Sequence, residues 1–389
     1  MAFSSKQYIK SLDGWRGIAI LLVFLFHYLP RSPHNPLSWL ASVGWWGVDL
    51  FFVLSGFLIT GILYDTRQSS GFFKSFYARR ALRLFPVYFL AVLVVAVGTG
   101  FFRDDRSWLL VPFFIYGSNI VLALPHGYPH LLPFDCSHFW TLAVEEQFYS
   151  LWPLVVFFAS GRRRLMQICF AGIALALALR ITLVAAGASF WLSYWELPMR
   201  MDSLLAGAFI ALYVRGPRQF EGLRVPHLRL GLMAALLAMV PVVLKSHTLF
   251  FVSAPMGSVG FSVGAAVASC IICLALIPGT FIQRLGSNSI LRFFGRYSYG
   301  LYIWHYLFNR AVKPWLADCR RVIHPAILAD LIYTLALLAL FTAISVLSYH
   351  LFEVHFLRLK SRFIATPAEK AAHEGTPETF PTPARELIG

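Results

Sequence analysis

Apolar runs of bilayer-spanning length recur along this chain from Gly14 to Phe352, with only short polar segments between them. A helix needs about 20 mostly apolar residues to cross the hydrocarbon core, where every backbone polar group must be satisfied internally. Charged residues make up 13% of the chain and hydrophobic residues 58%, against roughly 25% charge in a soluble domain. The expected fold is therefore all-α: a polytopic transmembrane helical bundle with about ten crossing helices. The expected crossings are Gly14–Leu29, Gly44–Tyr64, Leu82–Phe101, Phe139–Ser160, Leu165–Ala186, Met199–Val214, Arg229–Leu244, Ser258–Ile277, Tyr297–Phe308 with its flanks, and Ile327–Phe352. Trp108–Leu124 is a further apolar stretch, either re-entrant, interfacial or crossing.

The cations help to decide that stretch. With Trp108–Leu124 left out of the count, 23 of the 33 Lys and Arg residues fall on one side, including Lys6, Arg16, Arg67, Arg79, Arg162, Arg215 and Arg292. If the stretch crossed, every later cluster would change sides and the asymmetry would largely vanish. The positive-inside rule thus favours ten crossings with both termini cytoplasmic. The same clusters account for the net charge of +15 as topology signals with some attraction to anionic lipid, so no nucleic-acid partner is expected. The five cysteines have no metal-ligand spacing, since Cys270 and Cys273 lie inside an apolar run. The first apolar run lacks a small-residue cleavage site and reads as a retained anchor. Residues 1–360 are expected to form one membrane domain. Residues 361–389, with Pro367, Pro377, Pro381 and Pro383, read as a disordered cytoplasmic tail.

Ionisable groups inside hydrocarbon cost several kcal/mol and usually face a bundle interior or a watery cavity. Arg16 and His27 stand eleven residues apart, close to three helical turns, so they share a face about 16 Å apart along the axis. Asp49 begins the second run, as a helix cap or a buried functional carboxylate. Glu145 and Glu146 are adjacent in an apolar helix, so one faces a site and the other braces a neighbour. Ser298, Tyr302, His305 and Asn309 recur at helical spacing as one polar stripe. By count His27, Asp49, Glu145 and His305 share the outer half of the bilayer, and Arg16, Arg79, Arg80 and Arg83 the cytoplasmic ends. Imidazoles and carboxylates at one depth suit proton transfer to or from a hydroxyl. Guanidinium groups suit a phosphate-bearing ligand, or serve only as topology signals.

These segments resemble the acyltransferase-3 family of integral membrane O-acyltransferases. Leu12-Asp13-Gly14-Trp15-Arg16-Gly17 through His27 is similar to its Arg, ten residues, His hallmark. Gly47 to Gly56, Arg79 to Pro86, Trp140 to Tyr149 and Ser298 to His305 resemble its later motifs, in order, over about Ser11 to Phe356. The resemblance implies an enzyme with no bound cofactor that moves an acyl group, often acetyl, from cytoplasmic acyl-CoA to a hydroxyl. The implied acceptor is a sugar of a surface glycan, a lipid-linked glycan or a small glycoside, and the implied location is a bacterial inner membrane. Some members carry a fused hydrolase-like domain, for which the tail here is too short, so a second enzyme would be a separate chain.

Together the two readings predict His27 as general base, with Asp49 or Glu145 orienting it, and direct attack on the thioester. Acyl transfer through His27 itself is the alternative. His305 would polarise the carbonyl or position the acceptor. Arg16, Arg79, Arg80 and Arg83 would bind the donor phosphates, with Glu146, Tyr149, Ser298 and Tyr302 also among the substrate-binding residues. Two other classes compete. A proton-coupled transporter or flippase would also line its path with His and carboxylates, though no internal repeat supports it. A metal site of His27, His305, Asp49 and Glu145 lacks any close ligand spacing, and no metal is expected.

Overall fold

A computed structural model describes residues 8–31, 35–99, 110–123, 134–217 and 222–363. Among the described residues all regular structure is helical. Ten long helices form the bundle: α1 (Lys10–Tyr28), α2 (Trp46–Thr66), α3 (Phe72–Gly98), α4 (Trp140–Phe158), α5 (Arg162–Ala185), α6 (Leu197–Tyr213), α7 (Val225–Ser246), α8 (Phe261–Leu276), α9 (Ser289–Leu307) and α10 (Ala326–Ser348). Each overlaps one expected crossing. Short turns of helix join them. Of the tail expected to be disordered from residue 361, residues 361–363 belong to the turn Leu359–Phe363, with the Phe363 carbonyl accepting from Ser75 Oγ, and the rest lies outside the described residues.

Six of these helices are long and apolar enough to cross a membrane: α2, α3, α5, α7, α8 with the π-helical turn before it, and α10 with its continuation to Phe363. The other four, α1, α4, α6 and α9, have 17 to 19 residues. These four carry Arg16 and His27, Glu145 and Glu146, Arg200 and Asp202, and Arg292, Arg296 and His305. Charge enters the bundle on these helices and also on α2 and α5, through the buried Asp49 and Arg180.

Burial sorts the helices. Most of α2 is buried, whereas α7 buries only Met239 and Val242, and α5 only Leu165, Cys169, Ala176 and Arg180. Phe170, Leu175, Leu230, Leu237, Leu244 and Leu335 are exposed. So much outward apolar surface suits lipid and would be an aggregation hazard in water.

The chain directions follow from paired contacts. Gly47 packs on the Ala19 carbonyl and Gly44 on that of Leu22, so α1 and α2 are antiparallel. In α2 and α4, Phe52 meets Trp140 and Thr60 bonds Trp152, so those two are parallel. Tyr77 bonds the Ser150 carbonyl, Arg80 lies over Tyr149 and Tyr88 meets Phe139, so α3 and α4 are antiparallel. Within Trp108–Leu124 the described residues form two short helices, Val111–Phe114 and Ser118–Ala123. Neither approaches the length needed to cross.

Candidate active site

Glycines bring the imidazole of α1 to that of α9. A Cβ on Gly17 would strike the Leu291 carbonyl, and one on Gly295 would strike the Asp13 carbonyl. Small residues of this kind let membrane helices pack backbone to backbone. Ten residues further along both helices, His27 of α1 meets His305 of α9, so the two helices run parallel.

His27 Nδ1 lies 2.9 Å from His305 Nε2. His305 is fully buried, and its Nδ1 lies 2.9 Å from the carbonyls of both Leu301 and Tyr302. Carbonyl oxygens only accept, so His305 Nδ1 carries the proton and its Nε2 is a bare lone pair. That lone pair accepts from His27 Nδ1–H, which leaves His27 Nε2 unprotonated. The Tyr306 ring packs on His27 with centroids 4.1 Å apart, and the Tyr28 hydroxyl donates to the His305 carbonyl. Ring orientation and tautomer are thus both set from α9. His305, engaged at both nitrogens, has no N–H left to polarise a substrate carbonyl.

A third imidazole completes this chamber. His138, in the short turn Ser137–Phe139 before α4, lies with its ring centroid 5.5 Å from that of His305. Its Nε2 donates to the Ile303 carbonyl at 3.2 Å, and its buried Nδ1 has no hydrogen-bond partner in the chain. With Nε2 donating to a carbonyl, the neutral ring presents Nδ1 as an acceptor. His27 and His138 line a cavity of about 200 Å³ walled by Trp45, Trp140, Tyr194 and Phe251. Aromatic walls with a few polar atoms are the usual make-up of a small-ligand site, and flat rings suit sugar faces.

The second chamber, of about 250 Å³, is lined by Arg16, Arg80, Arg83, Glu145, Tyr149 and Ser298 among others. Arg83 faces both Arg16 and Arg80, and Arg80 lies 4.8 Å over the Tyr149 ring. Among the described residues none of these three guanidinium groups forms an ion pair. The Ser55 and Tyr149 hydroxyls hydrogen-bond each other, and Glu145 faces both of them together with Arg80 and Arg16. Glu145 is the carboxylate in this chamber's wall, while Glu146 faces Arg80 and Glu353 and Asp13 face Arg83 from outside it. Converging guanidinium groups without a direct ion pair suit an anionic ligand. Lys360, on the last turn Leu359–Phe363, faces the same cluster.

Asp49 is placed elsewhere. It accepts from Arg200 Nη2 at 2.6 Å and from Ser203 Oγ at 3.0 Å, entirely buried between α2 and α6. A second buried pair, Arg180–Asp202 at 2.6 Å, lies beside it. Asp49 lines neither chamber. Glu146 and Arg79 also stay outside the cavity walls: Glu146 faces Arg80, and Arg79 Nε bonds the Ser75 carbonyl of its own helix. The polar stripe ends at His305, because α9 stops at Leu307 and Asn309 opens a separate turn. The four residues weighed as a metal set do not converge, and among the described residues no three His, Cys, Asp or Glu side chains are grouped to hold a metal.

Sequence reasoning missed His138, Thr141, Arg180, Arg200 and Lys360. Four of these had a signal. His138 and Thr141 flank the start of the Trp140–Tyr149 motif, and Arg180 and Arg200 are charges within apolar runs.

A family model described as an acyltransferase domain matches residues 9–350, which include every residue of both chambers. The chain belongs to the acyltransferase-3 family. Within it, the chain is 30% identical over 353 residues to the peptidoglycan O-acetyltransferase OatA of Listeria monocytogenes, covering 83% of this chain and 53% of that protein. It is 30% identical over 322 residues to YrhL of Bacillus subtilis, provisionally named a peptidoglycan O-acetyltransferase, covering 77% and 48%. A Staphylococcus aureus protein provisionally named an O-acetyltransferase is 27% identical over 332 residues, covering 81% and 53%. This acyltransferase-3 chain thus spans about half the length of the curated relatives it matches. No solved structure matches it.

Proposed function

We propose that this integral membrane protein is an O-acyltransferase that moves an acetyl group from acetyl-CoA to a hydroxyl of a cell-surface glycan, with peptidoglycan the leading class. The observation that carries this reading is the bare Nε2 of His27, held by His305 at the wall of an aromatic chamber. The named relatives support the O-acetyl and glycan parts. The cation-lined chamber supports a phosphate-bearing donor.

The proposed step runs as follows. His27 Nε2 takes the acceptor hydroxyl proton as the hydroxyl oxygen attacks the thioester carbonyl carbon. The C–O bond forms, the C–S bond breaks, and the departing thiolate takes the proton from His27. His305 orients the imidazole and accepts from Nδ1–H while the ring is charged, the part played by a carboxylate in other triads. His138 Nδ1 accepts from a second hydroxyl or amide of the sugar. Arg16, Arg80 and Arg83 hold the phosphates, and Glu145 orients Arg80 and Tyr149. The distance from Arg16 to His27, about 16 Å along α1, is bridged by the donor's extended arm.

The same reading places ten crossings in a bacterial inner membrane, with both termini and the arginine cluster cytoplasmic. The antiparallel pairing of α3 with α4 supports leaving Trp108–Leu124 out of the count. The test is free-thiol release from acetyl-CoA by the full chain in proteoliposomes, with chito-oligosaccharides, muropeptides and simple glycosides as acceptors. Acceptor-dependent release that His27→Ala abolishes is expected. Normal release by a folded His27→Ala variant would refute the base assignment. No release with any acceptor, and no stabilisation by acetyl-CoA, would refute the donor and favour a transporter.

A further inference from the structure

The two chambers are separate cavities, and three residues from three helices line both: Val48 of α2, Thr141 of α4 and Tyr302 of α9. All three are buried, at 8%, 5% and 7% exposure. The Tyr302 hydroxyl donates to the His138 carbonyl at 2.6 Å, and the Thr141 hydroxyl meets it at 2.5 Å. Phe51 packs edge-on against the Tyr302 ring, with centroids 6.4 Å apart. The partition is therefore a phenol ring tied at its oxygen and supported on its flank, facing two β-branched side chains. Such side chains are stiff at χ1, so the partition between the chambers is held in a set arrangement.

We propose that Val48, Thr141 and Tyr302 form a filter through which the acyl end of the donor reaches His27, and that this filter sets the length of acyl group the protein transfers. The proposal rests on the acyl-CoA reading above. Its physical basis is the separation of charge from base. The guanidinium groups that hold phosphate lie on one side of the partition, and the bare His27 Nε2 lies on the other. The bond exchange needs the thioester carbonyl within contact distance of a hydroxyl in the histidine chamber, so a neutral acyl thioester has to pass the partition while the phosphates stay behind. The groups it slides past are the Val48 isopropyl, the Thr141 methyl and the edge of the Tyr302 ring. A sugar, wider and richly hydroxylated, meets the same opening from the other side and is kept from the donor chamber.

One methylene too many in a fitted apolar site costs roughly tenfold to 200-fold in kcat/KM. The wild-type chain is accordingly expected to prefer acetyl-CoA over propionyl-CoA, and propionyl-CoA over butyryl-CoA, by at least about tenfold per step. Val48→Ala removes two methyl groups from the frame and leaves the Tyr302 hydrogen bonds intact. It should reduce the acetyl-to-butyryl preference by about tenfold or more. Thr141→Ser removes one methyl, keeps the hydroxyl, and should shift the preference the same way by less.

The experiment measures kcat/KM for the three donors in proteoliposomes, for the full wild-type chain and both variants, with the acceptor that supports turnover in the panel above. A preference that falls in the order wild type, Thr141→Ser, Val48→Ala supports the filter. An unchanged preference in active variants overturns it, because acyl length would then be set in the arginine chamber. A wild-type chain that uses all three donors alike also overturns it, as does complete loss of turnover in two folded variants. Absence of wild-type turnover with every donor is the distinct result that refutes the acyl-CoA reading, and the filter with it.

Discussion

Asp49 and Arg200 provide a sharp test of how the bundle is held together. Their side chains are 1% and 0% exposed and 2.6 Å apart. Arg200 Nε and Nη1 already lack hydrogen-bond partners, as does Asp49 Oδ2. The guanidinium is otherwise faced by rings, with Phe261 4.1 Å away. Removing one member of a buried pair leaves an uncompensated charge and costs about 3–5 kcal/mol, whereas replacing both with apolar residues is often neutral. With two guanidinium nitrogens that have no partner in the chain, Asp49→Leu should fall at the top of that range. The double variant Asp49→Leu/Arg200→Leu should return to within about 1 kcal/mol of wild type, a coupling well above that of unconnected sites. The assay is a double-mutant cycle on the purified protein, unfolded in mixed micelles, with turnover measured on each folded variant. If the double variant is as unstable as Asp49→Leu, the pair is not a self-contained unit and this reasoning fails. If it is stable but loses turnover by about 10²–10⁴-fold, the size of a general-base effect, then Asp49 acts on His27 and the structural assignment is wrong.

Three further outcomes are expected. His305→Leu should lower kcat by about 10²–10⁴-fold with little change in KM for acetyl-CoA, and His305→Gln should recover part of it, since an amide oxygen can accept from His27 Nδ1–H. Steady-state kinetics with kcat unchanged in His305→Leu would remove His305 from the mechanism. Arg83→Gln, which deletes one charged contact worth about 1.5–3 kcal/mol, should raise KM for acetyl-CoA by roughly ten- to a hundredfold while the acceptor KM holds; a shift in the acceptor KM instead would move the donor site. Gly295→Val should separate α1 from α9 at the Asp13 carbonyl and destabilise the protein by at least about 1–3 kcal/mol, read as a lower melting temperature in detergent; an unaltered melting temperature would contradict the close helix contact.

Much of the site was legible because a helix imposes its own period. Arg16 and His27 share a face of α1, and each proves to line a chamber. Ser298, Tyr302 and His305 share a face of α9, and all three point inward. Glu145 and Glu146 divide as adjacent helical residues must, one in the cavity wall and one beside it. What failed was pairing across helices. Asp49 was expected near His27 and is instead bound to Arg200, 151 residues away in sequence. His138 drew no notice because it stands outside any helical stripe, on a short turn whose direction depends on the connection before it.

The sequence alone determined that the chain folds in lipid, where its long helices lie, and which residues share a face. All three follow from local quantities: apolar run length, charge placement and 3.6 residues per turn. Only the tertiary structure decided which faces meet. His27 is oriented by His305, 278 residues away, because glycines on α1 and α9 allow backbone contact ten residues before the imidazoles. The two chambers exist because Val48, Thr141 and Tyr302 converge from three separate helices. Periodicity along one helix carries no information about the neighbour it will face, and that choice is made by packing.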